Sequence, residues 1–337
     1  MVRRSLAAAM VILFLIFFLP WLWGEHSPEE EAAPPEDPPV MDEDGEREIP
    51  PAVRDSGRTL RVLVQGEVVE MTMEEYLRGV VRAEMPASFA EEALKAQAVA
   101  ARTYTLYKIR GGGSANHPEA DACDDIQCCK AYQGEEEAAQ SWGMATAVYE
   151  EKIRLAVAET DGEVVLYDNA PVLAVFHSSS AGATRPSGEV WTQDLPYLQS
   201  VPSPEGEDNV PNYHSKETFT LTEFKERFIA SYPTANLSGT PSNWFTNIQQ
   251  TENGSVTSLQ VGGVSLTGGE LRTLLGLRSA AFTISFTDSE VVFSVTGYGH
   301  GVGMSQYGAN VLAQEGKSYR EILTHYYVGT TVGVFQD

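Results

Sequence analysis

Four stretches of this chain carry residue types that could do chemistry. The first holds a single carboxylate. In the run LRGVVRAEMP, helical spacing sets Glu84 on the same face as Leu77, Val80 and Val81, away from Glu74, Arg78 and Arg82. A carboxyl held against apolar surface disfavours its charged form, so it can carry a proton near neutrality, as a general acid must. Periodicity alone leaves a second outcome open, in which Glu84, one turn from the helix end, reaches water or pairs with Arg102. The second stretch, NHPEADACDDIQCCKAYQG, contains all three cysteines, spaced His117-x5-Cys123-x5-Cys129 with Cys128 adjacent. These ligands suit a tetrahedral zinc with one position left over. In an oxidising compartment a disulfide from Cys123 to Cys128 or Cys129 is the competing outcome. No H-E-x-x-H pattern surrounds the cluster, so a metal here would brace a loop. The third stretch, FHSSSAGATRPSGEVW, offers His177, Ser178 and Ser180, donors and acceptors without bulk that suit either a sugar-binding rim or an ordinary polar turn. It contains no G-x-S-x-G elbow, which argues against a Ser-His-Asp hydrolase. The fourth, GYGHGVGMSQYGA, alternates glycines so that backbone can approach a ligand or another loop closely, presenting His300, Gln306 and Tyr307. It has no βαβ context and is not a nucleotide fingerprint.

The elements that must position these groups are legible in part. Thr72 and Glu75 form a capping box, so a helix starts near Met73 and stops before Pro86, which disfavours helical geometry at Met85. A second capping box, Ser88 to Glu91, opens an alanine-rich helix that runs to the glycines at 111–113. Gln97 and Tyr104 share one face of it and, with Arg102, are candidate substrate contacts. Before this helix pair, residues 59–72 read as a hairpin. After it come a helix at 135–150, a meander of strands at 153–159, 164–167 and 172–176, and packing elements without chemistry over 202–290. A strand at 291–295 leads into the glycine loop, and two helices and a final strand at 331–335 close the chain. The fold class expected is α+β: one extracytoplasmic domain of short strands and helices around a central cleft, behind one N-terminal transmembrane helix.

The runs LRGVVRAEMPASF and LKAQAVAARTY, the HSSS element and above all GHGVGMSQYGA resemble the stage II sporulation protein D family of cell-wall lytic enzymes, over essentially all of the chain from Thr59 on. Two departures stand out: Cys128 where many members have histidine, and Ala181 in place of the first glycine of an F-x-S-x-S-G-G-x-T element. The resemblance implies a murein lytic transglycosylase that cleaves the β-1,4 bond from N-acetylmuramic acid to N-acetylglucosamine and leaves 1,6-anhydromuramic ends. Its catalytic acid would be Glu84, and zinc would sit on His117, Cys123 and Cys129. Gln97, Arg102, Tyr104, His177, Ser178, Ser180, His300, Gln306 and Tyr307 would hold the sugar. Glu189 is the next carboxylate to consider. The resemblance further implies action in septal wall remodelling and engulfment during sporulation, with a cell-wall amidase and membrane proteins of engulfment as partners. The alternative is a non-catalytic wall-binding modifier that stimulates an amidase; the presence of Glu84 argues for the enzyme.

Composition frames this reading. Residues 6–23 are apolar throughout, behind Arg3 and Arg4, which predicts a membrane anchor at 1–24 with the N-terminus cytoplasmic and the remainder outside. Residues 25–58, rich in Pro, Glu and Asp, read as a disordered tether, leaving 59–337 as the folded domain. The net charge of −24 lacks any balancing basic patch, so nucleic acid is excluded as a partner.

Overall fold

The computed structural model describes residues 54–114, 116–125 and 128–335. The expected anchor at 1–24 and tether residues 25–53 lie outside the described residues. Among the described residues, no helix is long and apolar enough to cross a membrane. The observed architecture is a mixed α+β assembly of short strands and helices in five small sheets.

A hairpin of β1 (Thr59–Val64) and β2 (Glu67–Thr72) opens the domain. It closes through Gln65 and Gly66, both at positive φ, the two-residue turn that matches strand twist. Helix α1 (Met73–Glu84) follows with the Thr72–Glu75 capping box formed, and Met85 is extended, as Pro86 requires. Helix α2 (Glu91–Arg110) is the central post. Its Ala93, Ala96, Ala98, Ala100 and Ala101 are fully buried, so small side chains let α1 and later helices close around it. The expected Ser88–Glu91 capping box does not form. The helix starts one residue after Ala90, whose N–H donates to Asn310 Oδ1 at 2.9 Å, because the turn from Pro86 to Phe89 carries Ser88 away from the helix end.

Three further expectations need correction. The helix predicted over 135–150 breaks at Gly143 (φ 54°) into α3 (Glu135–Trp142) and α4 (Thr146–Ala158). The strand predicted at 153–159 is the end of α4: Ile153, Ala156 and Val157 are buried at helical spacing, and a short apolar run does not by itself distinguish the two periods. The meander therefore shrinks to β4 (Glu163–Tyr167) and β5 (Ala170–Pro171), flanked by the C-terminal β14 (Thr331–Val334). The chain then leaves this sheet, and β6 (Phe176–His177) pairs in parallel with β13 (Met304–Ser305) instead. The two-residue β3 (Ala122–Cys123) pairs in parallel with β1 and brings the cysteine stretch against the hairpin.

A second hydrophobic core, built on Phe224, Phe228, Trp244 and Phe293, occupies the stretch to which the sequence assigned no chemistry. It contains β7 (His214–Thr220), β8 (Phe245–Gln250), β9 (Val256–Val261), β10 (Val264–Leu266), β11 (Phe282–Phe286) and β12 (Glu290–Thr296). After the short α5 (Ser187–Val190), helices α6 (Leu221–Ser231) and α7 (Gly268–Leu275) belong to this part, each opened by a formed capping box. The chain returns to the first core through β13, α8 (Gln306–Gln314) and α9 (Tyr319–Tyr326).

The folded part also begins earlier than Thr59. Asp55 is buried, and both of its carboxylate oxygens accept hydrogen bonds from the Nε and Nη2 of Arg102 at 2.6–2.9 Å. Arg102 is 1 % exposed and donates also to the carbonyls of Val157 and Glu163. It is thus an internal brace joining the start of the domain, α2 and α4, and not a substrate contact. Asp55→Ala would leave this guanidinium buried and uncompensated, and we expect a loss of about 3–5 kcal/mol in urea denaturation; an unchanged midpoint would show that the pair carries no weight.

Candidate active site

The end of α1, the segment 129–133, the β6 loop and the glycine loop enclose a cleft of about 760 Å3. The parallel pairing of β6 with β13 is what brings the two loops together. Glycine is required at the crossing: a Cβ on Gly299, at φ 120°, would come 2.6 Å from His177 Cβ.

Glu84 borders this cleft. Its Oε1 accepts from the Ala131 N–H at 3.1 Å, and it does not pair with Arg102. Burial raises its pKa above the ordinary carboxylate value, opposed by Lys130 and by the Ala131 hydrogen bond. Desolvation outweighs the nearby cation, so the protonated form is favoured relative to a glutamate in water. Lys130 is itself held between two rings, its Nζ 4.1 Å from the Tyr104 centroid and 3.8 Å from that of Phe176. Burial lowers it to about 8, against the pull of Glu84 and Cys129.

Both histidines of the cleft have their ring nitrogens engaged. His177 Nδ1 lies 3.2 Å from the Val302 carbonyl, to which it donates, leaving Nε2 to accept from the Ser180 hydroxyl at 2.7 Å. His300 Nδ1 accepts from Val302 N–H at 3.1 Å, so its Nε2 donates to the Phe176 carbonyl at 3.1 Å. Burial lowers His177 to about 4, and burial together with His177, Lys130 and Arg272 lowers His300 well below the usual histidine value. Both are neutral at pH 7, and their hydrogen bonds lock the loops to each other.

The remaining predicted residues divide between wall and support. Ser178, His300, Gln306 and Tyr307 line the cleft with Glu84 and His177. Ser180 lies behind it, its N–H donating to Glu205 Oε1 at 2.6 Å. Gln97 is fully buried and accepts from Gln306 Nε2 at 3.4 Å, while Tyr104 underlies Lys130. Glu189 is off the cleft wall, beside Arg185. Sequence reading missed Lys130, Arg272 and Glu205. Lys130 sits in a segment scanned for thiols, Arg272 on α7 in the second core, and Glu205 in a loop without periodicity. Among the described residues lining the cleft, Glu84 is the one carboxylate.

The cysteines form a buried triad beside this wall, their sulfurs within 4.8 Å of one another, with Cys129 itself lining the cleft. None is in a disulfide. The Sγ atoms of Cys128 and Cys129 are 3.8 Å apart, and a tetrahedral ion with zinc–sulfur bonds of about 2.3 Å would space its sulfurs at about 3.8 Å. The donor set therefore fits a metal, with Cys128 as a ligand. The expected His117 is not in the triad: its Nδ1 faces Glu119 at 3.6 Å. Spacing misassigned it because the turn at 117–120 points the chain away before β3 returns Cys123 to the hairpin.

Residues 64–167 match the family model SpoIID, described as Stage II sporulation protein. The chain is 37% identical over 265 residues to Stage II sporulation protein D of Bacillus subtilis (strain 168), covering 79% of this chain and 75% of that protein. A protein of the same name from Bacillus amyloliquefaciens is 37% identical over 266 residues, 79% of this chain and 75% of its own. An Amidase enhancer of Bacillus subtilis (strain 168) is 32% identical over 304 residues, which cover 76% of this chain and 40% of that protein.

The raised pKa of Glu84 has a stability consequence. The folded protein binds this proton more tightly than the unfolded chain, so stability falls as pH rises from the ordinary carboxylate range, and the full cost is present above the folded pKa. Glu84→Gln keeps an acceptor for Ala131 N–H and removes the charge. It is expected to melt above the wild type at neutral pH, with the difference vanishing below about pH 4. A Gln variant less stable than wild type at pH 7 would mean that the fold favours the anion.

Proposed function

The chain belongs to the stage II sporulation protein D family, and from that premise we propose that this sporulation protein is a membrane-anchored murein lytic transglycosylase. The observation that carries the reading is the solitary, half-buried Glu84 of the cleft. Hydrolytic glycosidases use two carboxylates across the bond, one to protonate the leaving oxygen and one to act as nucleophile or to activate water. One acid suffices when the nucleophile belongs to the substrate. The 6-hydroxyl of muramic acid can close on its own anomeric carbon with the high effective concentration of an intramolecular reaction. Glu84 first gives its proton to the departing glucosamine oxygen and then, as a carboxylate, takes one from that hydroxyl, so no water is consumed. The Lys130 ammonium stabilises the carboxylate that forms between these steps. Neutral His177 and His300 hold the loop frame, and Ser178, Gln306, Tyr307 and the Trp142 face border the space for the sugar.

In this reading Cys123, Cys128 and Cys129 would hold a zinc ion, which would brace the segment that carries Lys130 and Ala131. Bound there it supplies cross-linking of that loop. The protein would act on the outer face of the mother-cell membrane, in septal wall remodelling and engulfment, on peptidoglycan glycan strands. Its partners would be a cell-wall amidase and membrane proteins of engulfment. One finding favours a second reading, a wall-binding modifier that stimulates an amidase without cutting: the likeness to the protein named Amidase enhancer. Cleavage by the purified chain alone separates the two.

Purified glycan strands incubated with the protein should yield 1,6-anhydromuramic ends, one water lighter than hydrolytic products, and Glu84→Gln should fold yet lose activity by about 10²–10⁴-fold or more. Reducing muramic ends carrying oxygen from labelled solvent would overturn the mechanism, and no cleavage at all would favour the modifier. Metal analysis should find about one zinc per chain. It should be lost with melting temperature in Cys128→Ser or Cys129→Ser and kept in His117→Ala; loss of metal in His117→Ala with retention in Cys128→Ser would reverse the ligand assignment.

A further inference from the structure

Beyond the Glu84 cleft lie two depressions that the proposed mechanism does not use. Gly299 and His300 wall both the cleft and a small depression of about 20 Å3, edged by Ser179 and Arg185. Ala281 and Thr296 wall both that depression and a third, of about 470 Å3, on the sheet formed by β11, β12 and β7. The three therefore follow one another, each sharing wall residues with the next. In the third, the pairing register sets Thr283, Ser294 and Lys216 side by side across the strands. They alternate with Val291, Phe293 and Val295, which face the core, so a polar row looks outward.

Two buried polar atoms along this path have no hydrogen-bond partner: Ser179 Oγ and Arg185 Nε, both at the small depression. Ser179 is 2 % exposed, and Arg185 Nε stands 3.9 Å from Glu189, beyond hydrogen-bond reach. Buried donors and acceptors are ordinarily paired, because leaving one unmade costs its full desolvation. The pair fits a passing ligand that offers hydroxyl and amide groups. Lys216 is exposed and makes no ion pair among the described residues, although the chain carries a net charge of −24. An unpaired ammonium in so acidic a protein suits a ligand that also bears carboxylates.

We propose that the larger depression, reached past the small one, is the distal end of a track for the same glycan strand whose bond is cut at Glu84, holding sugar units beyond those in the cleft, with Lys216 meeting a carboxylate of the strand. This inference rests on wall glycan being the substrate of the cleft. It makes the protein an enzyme of long strands, since short fragments fill the cleft and leave the track empty.

The test uses the full chain and two exposed substitutions outside the catalytic machinery, Lys216→Glu and Thr283→Trp, each checked for an unchanged melting temperature. Cleavage of long glycan strands is compared with that of a tetrasaccharide fragment. The wild type should prefer long strands, and either variant should lose about tenfold in kcat/KM on them, through KM, with the tetrasaccharide rate unchanged. The same long-to-short ratio in variants and wild type would overturn the track. Should the wild type cut neither substrate, the cleavage reading fails, and retention on long strands decides the track separately. There, weaker retention of Glu84→Gln carrying Lys216→Glu than of Glu84→Gln alone supports it, and equal retention overturns it.

Discussion

The position of Glu84 depends on one hydrogen bond made by a residue 222 positions later: Gln306 Nε2 donates to the Glu84 carbonyl at 2.8 Å. A helix leaves its last carbonyls without intrahelical partners, and Pro86 prevents α1 from continuing. The amide of Gln306 takes one of those carbonyls and so fixes where the helix ends and its last side chain begins. Gln306 is in turn the first residue of α8, directly after β13, so its reach is set by the register of β13 against β6. Glu205 holds that register from behind. Its carboxyl group accepts from Ser180 N–H at 2.6 Å, Ser305 Oγ at 2.5 Å and Ser203 Oγ at 2.6 Å, tying both loops to one buried side chain. The acid, the two histidine loops and the glycines that let them cross form one mechanical unit.

Electrostatics act on that frame with little help from solvent. A carboxyl with a lysine nearby would ordinarily be held as an anion, yet the net direction at Glu84 is upward, so its desolvation exceeds the attraction of Lys130. The cation is itself weakened by burial and spread over two aromatic faces. Each group favours the charged form of the other, while burial opposes it in both. The histidines, His177 buried and His300 half-buried, have both ring nitrogens engaged and add rigidity without adding charge.

How much of this was legible in the sequence depended on the range of the interaction. Local rules located α1: the Thr72 cap, the Pro86 stop and the inward face that carries Glu84 are all features of a few consecutive residues. The glycine loop was legible as a close approach, although which loop it approaches was not. Interactions between distant polar residues left no periodic trace. Arg102 looked available for a ligand because its partner, Asp55, sits in a stretch whose composition resembles a tether. Lys130 was hidden by the thiols before it. Spacing grouped His117 with Cys123 and Cys129, whereas the fold gathers Cys128 with them, because spacing reports chain length between residues and not the path of the turn between them. The run 153–158 was apolar in a pattern compatible with either period, and packing of α4 against α2 decided it.

The central claim is that the cleft favours the protonated form of Glu84 relative to a glutamate in water. It is tested most directly by carbon-13 NMR of the protein with labelled glutamate side chains, assigning the Glu84 carboxyl by its absence in Glu84→Gln and following its shift with pH. The account predicts a midpoint displaced above the ordinary glutamate value of about 4.3. A midpoint at or below that value would show that the cleft does not favour the protonated form, and would contradict the account.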